Sequence, residues 1–156
     1  MDKSAMMEAM KTSISEVLEQ MFYMPIDFIA PGADSPDPET GNASIIAKLG
    51  FSGSPSGTFM LQVPATLAQS VSADFLGIAP ASLSDHQVTG TVLEMVNMLA
   101  GSTLSAYDHH ALFNLQIPEL SSLHDAGALT AAIPDRIMLR IQTPESRITF
   151  QLVIQE

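Results

Sequence analysis

Glu94 and Asn97 are the residues of this sequence whose types and spacing are best suited to chemistry. Residues three positions apart on a helix project from the same side, so both side chains can reach one incoming molecule. With histidine counted as neutral, Glu94 is also the only charged side chain between Asp85 and Asp108. The pair therefore indicates a contact point for another molecule, provided that the surrounding stretch is helical.

The helix that must carry this pair is predicted over Leu83–Tyr107. Ser84 or Asp85 can cap its start, because a short oxygen-bearing side chain accepts a hydrogen bond from an otherwise unpaired backbone N–H. Five apolar residues recur at the helical spacing and form one stripe: Val88, Val92, Met95, Val96 and Leu99. At about 100° per residue, four others fall within about 60° of one another on the opposite side and form what we call the seam: Gly90, Glu94, Asn97 and Gly101. Leu93 and Met98 flank this seam as apolar shoulders.

The seam has two interpretations. An outward-facing Glu on an amphipathic helix is ordinary, so the spacing alone is more typical of a solvated face that binds nothing. On the other interpretation, Gly90 and Gly101 leave bare backbone beside the pair, where another molecule can come close. Each glycine costs about 1 kcal/mol of helix propensity relative to alanine. Spacing alone does not identify a chemistry.

Composition limits the classes of protein to consider. At 156 residues the chain is predicted to form a single domain over residues 1–156. Its net charge of −11, from 17 acids against 6 bases, argues against nucleic acid and against anionic lipid surfaces as partners. No run approaches the ~18 apolar residues of a membrane span, and the acidic N-terminal stretch is unlike a signal peptide, which predicts a cytoplasmic protein. The absence of cysteine excludes disulfides and thiolate catalysis.

Two further helices are predicted. The first covers Lys3–Met24 and is ended by Pro25, which lacks the backbone N–H a helix needs. Its apolar stripe comprises Met6, Met10, Ile14, Val17, Leu18 and Met21. The second is a short helix over Ala65–Leu76, opened by Pro64 and closed by Gly77.

Two β-hairpins are predicted from apolar, strand-like segments joined by turn-forming residues. The first pairs Ala43–Phe51 with Gly57–Val63, and the second pairs Arg136–Gln142 with Arg147–Ile154. The second has the stronger alternation of apolar and polar residues. This repeated order of elements, a helix with a hairpin in each half, predicts an α+β fold with long helices packed on a mixed or antiparallel sheet.

The connecting segments carry weaker signals. Pro31–Asn42 contains three prolines, two glycines and three acids, which predicts a loop. Downstream of the central helix an alternation predicts a strand with one buried face, stopped by Pro118; its apolar members are Phe113, Leu115 and Ile117. Residues 121–134 have no clear assignment.

Several familiar sites are absent from the sequence. There is no G-x-G-x-x-G or Walker loop for a nucleotide, no H-E-x-x-H for zinc and no G-x-S-x-G elbow. Asp108, His109 and His110 could contact a metal, but they follow a helix end, where histidine is favoured by the helix dipole. We therefore predict no nucleotide-binding loop and no metal site in this chain.

The central helix resembles that of a known family. Glu94-Met95-Val96-Asn97, followed by a small-residue helix end and the extended segment Phe113–Leu120, is similar to the CheC/CheX/FliY group of chemotaxis phosphatases. Those proteins carry an E-x-x-N pair on a long helix with a proline-containing strand downstream. The order of elements agrees over most of the chain. The first helix offers Glu16 and Glu19 but no E-x-x-N, so the resemblance is strongest to CheX, which has a single site per chain.

This resemblance implies an activity and a partner. The substrate would be the aspartyl phosphate of a CheY-like receiver domain, whose own Mg²⁺ and lysine hold the phosphoryl group. Asn97 would orient the attacking water, Glu94 would pair with the receiver lysine, and Gly90, Gly101 and Met98 would lie at the contact. No metal or cofactor would belong to this chain. The resemblance also implies a homodimer.

A second function remains open at this point: a non-catalytic interaction module of the same fold, binding a response regulator or a flagellar or signalling partner. Two departures from the family pattern favour it. Gly90 stands where the family has Asp or Ser, and Pro118 lies 21 residues after Asn97, two fewer than in the family. A purely structural dimer module is the third possibility.

Overall fold

The computed structural model describes residues 1–30, 43–121 and 135–155. Its helical elements are α1 (Lys3–Ile14), a π-helical segment (Ser15–Met21), α2 (Ala65–Leu76), a 3₁₀ turn (Pro80–Ser82) and α3 (Asp85–Tyr107). Its strands are β1 (Asp27–Phe28), β2 (Ser44–Ser52), β3 (Ser56–Pro64), β4 (Asn114–Leu115), β5 (Glu119–Leu120), β6 (Arg136–Gln142) and β7 (Arg147–Gln155). Among these residues no helix combines the length and apolar character that crossing a membrane requires.

One sheet contains all seven described strands in the order β1-β6-β7-β3-β2-β4, with β5 also paired to β2. Both predicted hairpins are present, β2 with β3 and β6 with β7, and β7 pairs with β3 so that the hairpins meet at the centre of the sheet. Every described pairing is antiparallel. The α+β prediction is confirmed, and the choice it left between mixed and antiparallel resolves to antiparallel for these strands.

The helices pack on one face of the sheet and enclose the core. Alternate residues of the central strands point into that core, and the rings of Phe59 and Phe150 stack there with centroids 5.4 Å apart. α3 lies between α1, α2 and β2. The Ser13 hydroxyl donates a 3.0 Å hydrogen bond to the Leu99 carbonyl, which ties α1 to α3 inside the core. The helix that carries the seam is therefore held from several sides.

The first helix differs from its prediction. It is α-helical only to Ile14, continues as the π-helical segment to Met21, and does not reach Met24. A π-helix pairs each N–H with the carbonyl five residues back, so its wider turn shifts the phase of the apolar stripe. Met21, predicted on the buried stripe, is therefore 48% exposed, whereas Phe22 and Met24 are buried instead.

The extended segment after α3 also differs. It forms two short edge strands, β4 and β5, and Pro118 lies between them rather than ending the extended chain. The prediction of one buried face is wrong, because Leu115 is 41% and Ile117 88% exposed and only Phe113 packs partly against the core. Among the described strands the sheet ends at this segment, so none of them covers it. The predicted loop at 31–42 lies outside the described residues, and so does the unassigned stretch 121–134 except for Ser121.

Candidate functional site

α3 begins with a capping box. The Ser84 hydroxyl accepts a 3.1 Å hydrogen bond from the Gln87 N–H, and the Gln87 side chain accepts one of 2.9 Å from the Ser84 N–H. These bonds satisfy backbone donors that a helix start otherwise leaves unpaired. The helix then runs unbroken from Asp85 to Tyr107, which agrees with the predicted span to within two residues.

Burial fixes how α3 is rotated. Val92, Met95, Val96 and Leu99 are all 0% exposed, as their spacing predicts. Glu94 lies on the opposite side and is exposed, and Asn97 is partly exposed in the middle of the unbroken helix. Because the apolar stripe is locked in the core, the direction in which the pair projects is set by packing rather than by loop conformation.

The seam has apolar shoulders, as the sequence predicts. Leu93 and Met98 are partly buried and pack against the core from either side. Within the described part of the chain, the side chains of Glu94 and Asn97 have no hydrogen-bond or ion-pair partner. The hydrogen-bonding capacity of both groups is thus available to another molecule.

The two seam glycines differ in their surroundings. A methyl group added to Gly90 would meet nothing within 4 Å, so this end of the seam is open. A methyl group at Gly101 would lie 3.8 Å from the Leu115 Cδ1, so this end is walled by the edge strand β4. Neither environment requires glycine for packing. The fold therefore gives no reason for glycine at positions 90 and 101, whereas close approach of another molecule would give one.

We expect the replacement Gly90→Ala to raise the free energy of unfolding by roughly 0.5–1 kcal/mol. The new methyl group fits, and alanine loses less conformational entropy than glycine in a helix. Urea unfolding followed by circular dichroism measures this difference. Gly57→Ala is the matched control, because there the added methyl group would collide with the Val153 carbonyl in the central sheet. A destabilised Gly90→Ala would show that this glycine serves the fold.

A cleft of about 180 Å³ lies between the last turns of α3 and strand β4. Its lining includes Gly101, Ser105, Asp108, His109, Phe113 and Leu115. Sequence reasoning missed this cleft, because alternation placed Leu115 on a buried strand face. The cleft continues the seam toward the sheet edge, since Gly101 belongs to both.

The residues after α3 form a turn. The Asp108 carboxylate accepts hydrogen bonds from the backbone N–H groups of His110 and Ala111, at 3.1 and 3.2 Å. The rings of His109 and His110 lie against each other, with centroids 4.0 Å apart. In the described ranges, no three histidine or acidic side chains are grouped as a metal site would need. The local role of Asp108 is therefore to close the helix end.

A family match spans all residues of the seam and of the cleft. Residues 45–135 match the family model described as chemotaxis phosphatase CheX, which is more than half of the chain. The chain belongs to the CheX family of chemotaxis phosphatases. The matched range contains β3, α3, β4 and β5 of this CheX-family chain, together with all of β2 except its first residue, Ser44.

Solved structures share the fold of this CheX-family chain at low sequence identity. A chain of the CheX–CheY–BeF₃–Mg²⁺ complex from Borrelia burgdorferi is 18% identical, with a TM-score of 0.75 over 96% of this chain and 97% of that chain. CheX from Vibrio vulnificus is 16% identical, with a TM-score of 0.73 over 99% of both chains. A CheC-like protein from Shewanella sp. PV-4 is 17% identical, with a TM-score of 0.73 over 97% and 98%. None of the curated proteins matches the sequence significantly.

Proposed function

We propose that this chain is a phosphatase that hydrolyses the aspartyl phosphate of a CheY-like receiver domain, with Asn97 orienting the attacking water. The observation that carries this proposal is the outward-facing Glu94–Asn97 pair on a helix held by the core, inside the range that matches the chemotaxis phosphatase family. Neither side chain has a hydrogen-bond or ion-pair partner among the described residues. The complex of CheX with CheY, BeF₃ and Mg²⁺ from Borrelia burgdorferi supports a receiver as the partner.

In this mechanism the receiver holds its phosphoryl group with its own Mg²⁺ and lysine, so this chain needs no metal or cofactor. The Asn97 amide donates and accepts hydrogen bonds, and so places one water in line with the bond to be broken. The water oxygen bonds to phosphorus as the phosphorus–oxygen bond to the aspartate breaks. The aspartate leaves as a carboxylate, and the proton of the water goes to the phosphate. Asn97 takes no proton, since an amide is not a base at neutral pH. Its contribution is positioning, which is a large term in phosphoryl transfer.

Glu94 has the docking role. It precedes Asn97 by one helical turn and is exposed, so its carboxylate can pair with the receiver lysine while Asn97 enters the phosphorylation site. Gly90, Gly101 and Met98 then form the surrounding contact surface. As part of this proposal the chain works in the cytoplasm, where receivers are located, and as the homodimer that the resemblance implies.

We expect Glu94→Gln to raise KM by about tenfold and to change kcat by less than about threefold. Glutamine keeps the length and hydrogen-bonding ability of the side chain but removes the attraction to a lysine, which acts on binding more than on the transition state. The KM of the wild type should also rise more steeply with ionic strength than the KM of the variant, because salt screens charges over about 8–10 Å.

The quantity to compare is the slope of KM against ionic strength, taken as the difference between the wild type and Glu94→Gln. The net charge of −11 repels an acidic receiver in both, and this background largely cancels in the difference. Glu16→Gln is the matched control: an exposed glutamate on the first helix, outside the seam, whose removal should leave KM unchanged. If the wild type and Glu94→Gln had the same KM and the same dependence of KM on ionic strength, Glu94 would be an ordinary solvated residue with no docking role.

The proposed function itself is tested with a phosphorylated CheY-like receiver and a small amount of the chain. Phosphatase activity predicts that each molecule of the chain removes phosphate from many receivers, at a rate proportional to chain concentration. Binding of the receiver without faster loss of phosphate would instead identify the interaction module.

A further inference from the structure

A strip of exposed apolar side chains borders the seam along the sheet edge. Leu115 is 41%, Ile117 88% and Leu120 47% exposed, and we call these three residues the shelf. Strand β4 pairs Leu115 with Phe51, and strand β5 pairs Leu120 with Ala47. Cross-strand partners share a face, and both partners are buried under the helices, so Leu115 and Leu120 lie on the same side of the sheet as α3.

The shelf lies close to the Glu94–Asn97 pair. Gly101 follows Asn97 by four residues, which is about 6 Å along the helix axis and about 40° around it. The Leu115 Cδ1 lies 3.8 Å from the place where a methyl group on Gly101 would be. α3 is also in contact with β5, which carries Leu120. A standard interface of about 800 Å² per partner has a radius of about 16 Å. A receiver seated on Asn97 is therefore expected to cover Leu115 and to extend over the neighbouring residues of the shelf.

Long-range charge does not attract such a partner, and the pairing of Glu94 with a receiver lysine is the only local charged contact in the proposal. The seam contains one charged side chain, Glu94, and the chain as a whole carries −11. A receiver phosphorylation site is itself built from carboxylates around Mg²⁺, so long-range electrostatics oppose the encounter. Beyond the Glu94 contact, the attraction must come from burial of apolar surface, and the shelf with its adjoining cleft offers exposed apolar surface near the pair.

We propose that the shelf supplies the apolar part of the affinity for the receiver: it takes an apolar patch that borders the receiver's phosphorylation site, with one side chain seated in the 180 Å³ cleft beside Leu115. This inference rests on the proposed phosphatase function and gives Asn97 and the shelf separate roles in it. Asn97 acts on the bound phosphoryl group, whereas the shelf sets which receivers bind. Receivers with a polar patch at this position are poor substrates.

The test compares serine replacements on one segment. Leu115→Ser and Ile117→Ser remove apolar contact, whereas Leu112→Ser is the matched control, because Leu112 is 92% exposed and does not line the cleft. The measurements are KM and kcat with a receiver that the wild type dephosphorylates, Kd for that receiver loaded with beryllofluoride and Mg²⁺, and oligomeric state by sedimentation. The Ile117 side chain is 88% exposed and contributes little to folding, so Ile117→Ser should fold normally and remain interpretable even if Leu115→Ser is unstable.

The two shelf variants are expected to raise KM and Kd about five- to tenfold each, with kcat within about twofold of the wild type, while Leu112→Ser changes neither. KM and Kd equal to the wild type in both shelf variants would overturn the inference and leave the phosphatase proposal intact. Loss of a dimer in the shelf variants with unchanged receiver binding would also overturn it, since a second copy of this chain would then cover the shelf. Failure of the phosphatase proposal is a separate result: a wild type that binds but never dephosphorylates a receiver.

Discussion

Asn97→Ala is expected to lower kcat for receiver dephosphorylation at least about 100-fold, while Kd for a receiver loaded with beryllofluoride and Mg²⁺ changes less than about threefold. The amide that orients the water contributes mainly in the transition state, so its removal affects kcat rather than binding. A factor of this size is typical of losing one positioned hydrogen-bonding group at a reaction centre. Alanine is a better helix former than asparagine, so α3 itself should not weaken.

The matched control for this replacement is Asn114→Ala. Asn114 is an exposed asparagine in strand β4, opposite Ser52, and its loss should leave kcat within about twofold of the wild type. Turnover of Asn97→Ala equal to that of the wild type would remove the water-positioning mechanism. Loss of receiver binding together with kcat would make Asn97 a docking residue instead.

The second large effect is on stability and concerns the buried stripe of α3, on the side of the helix opposite the seam. Leu99→Ala is expected to lower the free energy of unfolding by about 3 kcal/mol. Leu99 is 0% exposed on the buried stripe of α3, two residues after Asn97, and its truncation leaves a cavity between α3 and its neighbours. The Ser13 hydrogen bond goes to the Leu99 backbone and survives the replacement, so the cost comes from packing. Urea unfolding measures the change.

Leu112→Ala serves as the control for this experiment, because the Leu112 side chain is 92% exposed. It should cost less than about 0.5 kcal/mol. At temperatures where Leu99→Ala remains folded, its KM should match that of the wild type, since Leu99 faces away from the partner. A loss below about 1 kcal/mol for Leu99→Ala would mean that the buried stripe does not hold α3 in place.

The seam could be predicted because its signal is local and periodic. A stripe of five apolar residues at helical spacing determines which side of α3 is buried, and therefore which side carries Glu94 and Asn97. The hairpins were equally accessible, since alternation in adjacent segments with a turn between them specifies antiparallel pairing. How β7 meets β3 at the centre of the sheet has no comparable local signal, because those strands are far apart in sequence.

The two mispredicted elements have different physical causes. The apolar stripe of the first helix is predicted with one constant helical period. The π-helical segment has a wider turn, so the period changes there and Met21 lies on the exposed side instead of the buried one. Alternation at Phe113, Leu115 and Ile117 correctly indicates extended chain. It cannot tell whether another element covers that chain, and here none of the described elements does. The shelf thus became visible only once burial was known, and β1, at two residues, is too short to show a period.

The central claim is that the Glu94–Asn97 pair catalyses hydrolysis rather than only binding a receiver. The most direct measurement is the rate constant for loss of phosphate from a radiolabelled receiver mixed with saturating chain, with the bound fraction determined on the same preparation. The proposed mechanism predicts a rate constant at least about 100-fold above that of the receiver alone, and a return to the unassisted rate in Asn97→Ala at an equal bound fraction. A fully bound receiver that loses its phosphate no faster than the free receiver would contradict it.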